Sequence, residues 1–106
     1  MNSTIIWNVR GINTQGMLER LKIIRELHQL SIIVIFKPFS DSVHVQNFKV
    51  QLNMENATSN CIGKILVFWG SDIDCNILDE NDQQITCDIK HNQLQRKFIT
   101  TFGYAK

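Results

Sequence analysis

The sequence holds one proline (Pro38), five glycines and three cysteines in 106 residues. So little proline and glycine excludes collagen-like and low-complexity classes. Cys61, Cys75 and Cys87 form no C-x-x-C pair and are odd in number. Neither a disulfide scaffold nor a zinc knuckle is therefore expected, and reduced thiols in an intracellular compartment are, with nucleus and cytoplasm both open. The longest apolar run lies within Ser31 to Phe36, far short of the about 20 residues a membrane-spanning helix needs. No sign of charge dominates either. Eleven Lys+Arg against ten Asp+Glu leave a formal charge of +1, so no broad basic field points to nucleic acid or a membrane surface. Met1-Asn2-Ser3-Thr4 carries no basic n-region and the apolar stretch after it ends at Asn8 and Arg10, which does not read as a secretory signal. The sequons Asn2-Ser3-Thr4 and Asn56-Ala57-Thr58 then carry little weight. Hydrophobic residues at 43% and charged residues at 20% exclude a disordered chain and give a single domain over residues 1–106.

Thr4-Ile5-Ile6-Trp7-Asn8-Val9 reads as a strand running into the polar loop Arg10 to Thr14. Met17, Leu21 and Ile24, with Leu18 and Leu27 alongside, recur at helical spacing over residues 15–29, with Asn13 or Thr14 available as cap. Ser31-Ile32-Ile33-Val34-Ile35-Phe36 is a second apolar strand, closed by Lys37-Pro38. Strand, amphipathic helix and strand in this order predict a βαβ unit with parallel strands. Residues 40–62 are rich in Asn, Gln, Ser and Asp, and the alternation of Phe48, Val50 and Leu52 suggests loop plus one short strand. Lys64 to Trp69 is a third apolar strand. Beyond it the period becomes two: Ile73, Cys75 and Ile77, then Ile85, Cys87 and Ile89, then Phe98, Thr100, Phe102 and Tyr104, with turns at residues 79–83 and 91–93. This is an antiparallel meander. A turn centred on Asn81 sets Cys75 directly opposite Cys87, giving two adjacent, buried, reduced thiols and no bridge.

The three apolar strands want cover on both faces, yet one helix is evident. Either the chain self-associates through an uncovered sheet face or it is the first part of a larger sandwich.

Trp7-Asn8-Val9-Arg10-Gly11-Ile12 resembles the opening motif of the endonuclease/exonuclease/phosphatase (DNase I-like) superfamily, in the form found in plant LINE-type (non-LTR) retrotransposon endonucleases. Gly63-Lys64-Ile65-Leu66-Val67-Phe68-Trp69 and Phe102-Gly103-Tyr104-Ala105 resemble later strands of the same domain, in the same order. The similarity runs from about Thr4 to Tyr104 and implies the N-terminal portion of that domain. The implied fold is an α+β or α/β incomplete DNase I-like sandwich: one mixed β-sheet, βαβ unit followed by meander, with one main helix on one face. The implied ancestral activity is Mg²⁺-dependent phosphodiester hydrolysis of DNA. Asn8 matches the asparagine that helps organise the metal and phosphate site, and Tyr104 the tyrosine that contacts the scissile phosphate. The principal metal ligand, a glutamate closing the second strand, is replaced by Lys37, an ammonium with no lone pair that repels a divalent cation. The family's later Asp-x-Asn and Ser-Asp-His have no counterpart. Asn8 and Tyr104 are therefore vestigial in this reading, no intact metal site and no cofactor are expected, and DNA binding is unsupported by charge. The alternative reading is a small non-catalytic interaction or oligomerisation module.

The remaining polar residues have simpler readings. His28 near a helix C-terminus suits the helix dipole, and His44 and His91 read as surface residues. Asp72 and Asp74 read as a solvated pair on the polar face of the meander, with a weak cation site as the alternative. Arg10 and Gly11 either face a phosphate or shape the turn.

Overall fold

The computed structural model describes residues 3–8, 14–28, 30–36, 44–61, 64–92 and 95–103. In chain order the elements are β1 (Ser3–Asn8), α1 (Thr14–His28), β2 (Leu30–Phe36), α2 (His44–Gln51), β3 (Asn56–Ser59), β4 (Ile65–Trp69), β5 (Ile73–Glu80), β6 (Gln84–His91) and β7 (Arg96–Gly103). The chain is α+β. As the βαβ reading requires, β1 pairs parallel to β2, with Ile5 opposite Ile33 and Asn8 opposite Phe36.

The single mixed sheet expected from the sequence is instead two sheets, a four-stranded one in the order β1-β2-β4-β3 and a three-stranded one in the order β5-β6-β7. β2 pairs antiparallel with β4, and β4 with β3. Side chains of adjacent strand residues point to opposite faces, and both faces of β2 and β4 are apolar. Ile33, Ile35, Leu66 and Phe68 pack under the helical layer with Leu21, Phe48, Leu52 and Met54. Ile32, Val34, Ile65 and Val67 pack on the other side against Ile73, Ile85, Cys87, Ile89 and Phe102 of the meander. The face expected to be uncovered is thus covered by this chain's own C-terminal strands. Two one-sided apolar surfaces each lacked a partner, and they bury one another. The layers are helices, mixed sheet, antiparallel sheet.

The turn from one sheet to the other is made at residues 70–72. The Gly70 N–H donates to the Ser31 carbonyl at 3.0 Å, and the Ile73 N–H to the Gly70 carbonyl at 3.2 Å. A Cβ on Gly70 would lie 3.0 Å from Asp72 Oδ1 and 3.3 Å from Glu55 Oε2. A side chain at this position would require the two carboxylate tips to give by a few tenths of an ångström.

Phe48, Val50 and Leu52 do not alternate in a strand. Phe48 is in α2, Leu52 follows it directly, and the short strand of this region is β3. Positions four apart share a face in a helix and in a strand alike, so Phe48 and Leu52 cannot discriminate. The residue between them does: Phe48 and Leu52 are buried while Val50 is 73% exposed. The apolar side of α1 is also narrower than its spacing suggests. Leu21 is fully buried and Ile24 packs against the same core, but Leu27 is 72% exposed. Met17 and Leu18 lie outside the described side chains.

The meander forms, with a shifted register. Cys75 is opposite Ile89, and Ile77 opposite Cys87. The register then slips by one between Ile77 and Asp79, so that Glu80 faces Ile85. Asn81 and Gln84 close the hairpin around Asp82 and Gln83: the Asn81 N–H donates to the Gln84 carbonyl at 2.9 Å, and Asn81 Oδ1 accepts from the Gln83 and Gln84 N–H groups at 2.8 and 3.0 Å. The bulge after Ile77 and the tighter turn together move the thiols from directly opposite to diagonal. They stay on the inner face, Cys87 buried and Cys75 half-buried rather than fully so, and all three cysteines are free.

Replacing Phe48 by Ala should lower stability by about 3–5 kcal/mol, whereas Val50→Ser should stay within about 0.5 kcal/mol. Urea unfolding of the two variants checks this. Equal losses at both positions would restore the strand reading of this segment.

Candidate functional site

The resemblance directs attention to the C-terminal ends of β1, β2 and β7. Asn8 is the last residue of β1 and its backbone pairs with Phe36, the last residue of β2. Phe36 in turn faces Ile65, the first residue of β4. At this end the buried side chain of Asn60 ties the sheets together. Its Oδ1 accepts from the Lys64 and Ile65 N–H groups at 2.9 and 3.0 Å, and its Nδ2 donates to the Asn81 carbonyl at 2.9 Å. The Cys61 N–H donates to Glu80 Oε2 beside it. From Asn81 the hairpin leads to Gln84, which pairs with Gly103 at the end of β7. Backbone pairing and hydrogen bonds therefore link Asn8, Phe36, Asn60, Asn81 and Gly103 at one end of the two sheets. The Asn8 side chain, and Lys37 and Tyr104, which follow Phe36 and Gly103 directly, lie outside the described residues. So do Arg10 and Gly11, and the side chains of His28 and His44.

The donor set that the resemblance implies would not fit Mg²⁺. A magnesium ion is held through carboxylates and waters, and the implied set is an amide, an ammonium and a phenol. The described carboxylate nearby, Glu80, accepts the Cys61 N–H. Among the described residues no group of three or more His, Cys, Asp or Glu is placed to hold a metal ion.

The opposite end carries a polar cluster that the sequence reading missed. Asp72 Oδ2 accepts from Ser31 Oγ at 2.9 Å and lies 3.3 Å from His91 Nε2. The Asp72 carbonyl also accepts from the Asn92 N–H at 2.9 Å. His91 is not a surface residue: it is 5% exposed, as is Ser31. Asp72 is not on the polar face of the meander but at the corner before β5, half-buried. Asp74, by contrast, is exposed in β5 opposite Lys90.

Serine, aspartate and histidine together raise the question of nucleophilic catalysis. In a hydrolytic triad the histidine stands between serine and carboxylate, taking the serine proton. Here the carboxylate stands between, one of its oxygens accepting from the serine and lying 3.3 Å from the histidine nitrogen. The serine donates to an anion and is buried. The arrangement fastens β2 of one sheet to the corner and to β6 of the other. The signal for it was available in part, because Gly70-Ser71-Asp72 is turn chemistry, and Asn60 before a turn reads the same way. Their long-range partners leave no trace in local sequence.

No protein-family model, curated protein or solved structure matches the chain.

Asp72→Ala removes the acceptor of the buried Ser31 hydroxyl and the carboxylate beside His91 and should cost about 1–3 kcal/mol, against about 0.5 kcal/mol or less for Asp74→Ala. Denaturant unfolding of the two variants side by side makes the comparison. A cost at Asp74 matching that at Asp72 would remove the fastening role.

Proposed function

We propose that this chain is a non-catalytic domain of the endonuclease/exonuclease/phosphatase type, a degenerate relative of plant LINE-type retrotransposon endonucleases. The observation that carries the reading is positional. Asn8, and the residues immediately before Lys37 and Tyr104, are brought to the same end of the sheets. An asparagine there, with a lysine and a tyrosine next in sequence after two of these strand ends, is what the remnant of a phosphodiester site would keep. One feature departs from the resemblance. The meander forms its own sheet against the first, on the face where the family's second half is expected.

The chemistry explains why a remnant is inert. Phosphodiester hydrolysis of this kind depends on a divalent ion to polarise the phosphate and stabilise the leaving oxygen. A protonated lysine supplies positive charge but no ligand. His91 is buried at the other end with Asp72. A net charge of +1 also gives little long-range attraction for DNA. The interaction-module reading rested on an uncovered sheet face, and that face is occupied by the meander.

Supercoiled plasmid incubated with the chain in Mg²⁺ should be nicked no faster than in EDTA. Nicking that scales with protein and vanishes with EDTA would overturn the non-catalytic reading. Lys37→Glu should add weak Mg²⁺ affinity, seen by calorimetry, with no turnover. An unchanged response to Mg²⁺ in that variant would take Lys37 out of the metal position and remove the family assignment with it.

A further inference from the structure

Three of the four sheet edges can be compared, since the side chains of β1 lie outside those described. β3 is four residues long and polar. β5 is interrupted by the slip between Ile77 and Asp79 and carries Asp74, Asp79 and Glu80. Short length, a bulge and charged side chains are what keep an edge from pairing with another chain. β7 has none of these along its middle. It is eight residues long and pairs with β6 in unbroken register, and Phe98-Ile99-Thr100-Thr101-Phe102 holds no charge and no proline. Among the described residues no strand lies on its outer side.

Exposure marks the same strand. Phe98 is 48% exposed and Ile99 64%, on opposite faces of the sheet because they are adjacent in a strand. An edge with an apolar side chain on each face and an outward row of backbone N–H and C=O groups is a template for one more strand. The chain offers that strand itself. We propose that two copies of this chain pair β7 to β7, antiparallel and about a two-fold axis, joining their three-stranded sheets into one of six. The contact runs along an edge, so it leaves the stacked layers of each copy as they are.

Charge sets both the direction and the occupant. Arg96 and Lys97 stand at the start of β7. At its far end Gly103 pairs with Gln84, next to the hairpin that holds Asp82, and Glu80 lies across β6 from there, opposite Ile85. An antiparallel copy therefore lays its cationic strand start along the acidic end of the other. Parallel pairing would set Arg96 and Lys97 beside their own duplicates, and like charges at facing positions are destabilising. A two-fold axis at Thr100 keeps inner faces together and sets Phe98 opposite the partner's Phe102, with Ile99 opposite the partner's Thr101. Both exposed apolar side chains of β7 are then covered. A two-fold contact of one patch with itself closes at two copies. The outer edges of the joined sheet are the two β5 strands, which their bulge and carboxylates protect, so growth stops there.

Sedimentation velocity of the full chain from micromolar to millimolar concentration should show monomer passing to dimer and nothing larger. Amide hydrogen exchange should slow within residues 97–103 as the dimer forms, with β5 unchanged. Ile99→Lys removes an apolar contact and places an ammonium beside the two-fold axis in each copy, so the dissociation constant should rise at least about tenfold. Ile99 is exposed in the monomer, and circular dichroism checks that the variant keeps its fold. Leu78→Lys, at a position 53% exposed on β5, should leave association unchanged. A chain that stays monomeric throughout the series overturns the proposal. So does a dimer kept in folded Ile99→Lys or lost in folded Leu78→Lys, and so do assemblies that continue beyond two. Should Ile99→Lys not fold, the exchange pattern of the native chain decides alone: concentration-dependent protection outside β7 and none within it overturns the pairing.

Discussion

The structure depends on one constraint: β2 must be covered on both faces. Leu30 through Ile35 are buried in succession, so no side of this strand can meet water. A half-wet strand is satisfied by one layer, but this one needs two. α1 and α2 supply the first through Leu21, Phe48 and Leu52, and the meander supplies the second through Ile73, Ile85 and Ile89. β4 repeats the demand beside β2, with Leu66 and Phe68 toward the helices and Ile65 and Val67 toward the meander. Burial of a single large aliphatic or aromatic side chain contributes about 1.5–3 kcal/mol. The two layers are therefore the main source of stability.

The outer surface of the meander is mixed, with polar pairs beside the exposed Leu78 and Ile99. Asp88 meets Lys97 at 3.5 Å, and Thr86 and Thr101 share a hydrogen bond of 2.9 Å across β6 and β7. Strands with one apolar and one polar face can end a stack of layers, and strands like β2 and β4 cannot. That difference sets the order helix, mixed sheet, meander. The end near Asn8 and Asn60 is the one on which the proposed function rests, while the end near Ser31 and Asp72 joins the sheets.

Much of this was legible in the residues. The unbroken apolar runs of β2 and β4, the parallel pairing of β1 with β2 and the period-two pattern of β5 to β7 all appear as read. The division into two sheets does not, because period two says that a strand has one apolar face and is silent about which surface that face will meet. α2 was hidden because Phe48 and Leu52 fit two periods equally, and their polar surroundings favoured loop. The thiol register was displaced by a bulge after Ile77 and a short turn at Asp82 and Gln83, neither of which leaves a clear local mark. His91 was misplaced on the surface because its burial depends on Asp72, distant in sequence. Of the candidate site, the strand end carrying Asn8 is placed, while Lys37 and Tyr104 lie outside the described residues.

The polar clusters at the two ends acquire a different meaning when alternative pairings of β2 are considered. Ile32, Ile33, Val34 and Ile35 are nearly interchangeable, so sliding the strand by one residue would exchange its faces yet still present aliphatic side chains to both layers. Hydrophobicity alone barely distinguishes the native alignment from that slip. What distinguishes it is polar and sits at the ends: Ser31 meeting Asp72, the Ser31 carbonyl meeting Gly70, and Asn60 holding the first residues of β4. A slipped β2 would put an aliphatic side chain where Asp72 expects a hydroxyl, leaving a half-buried carboxylate short of a donor. These few hydrogen bonds act as stops that convert a sticky, ambiguous ribbon into one alignment.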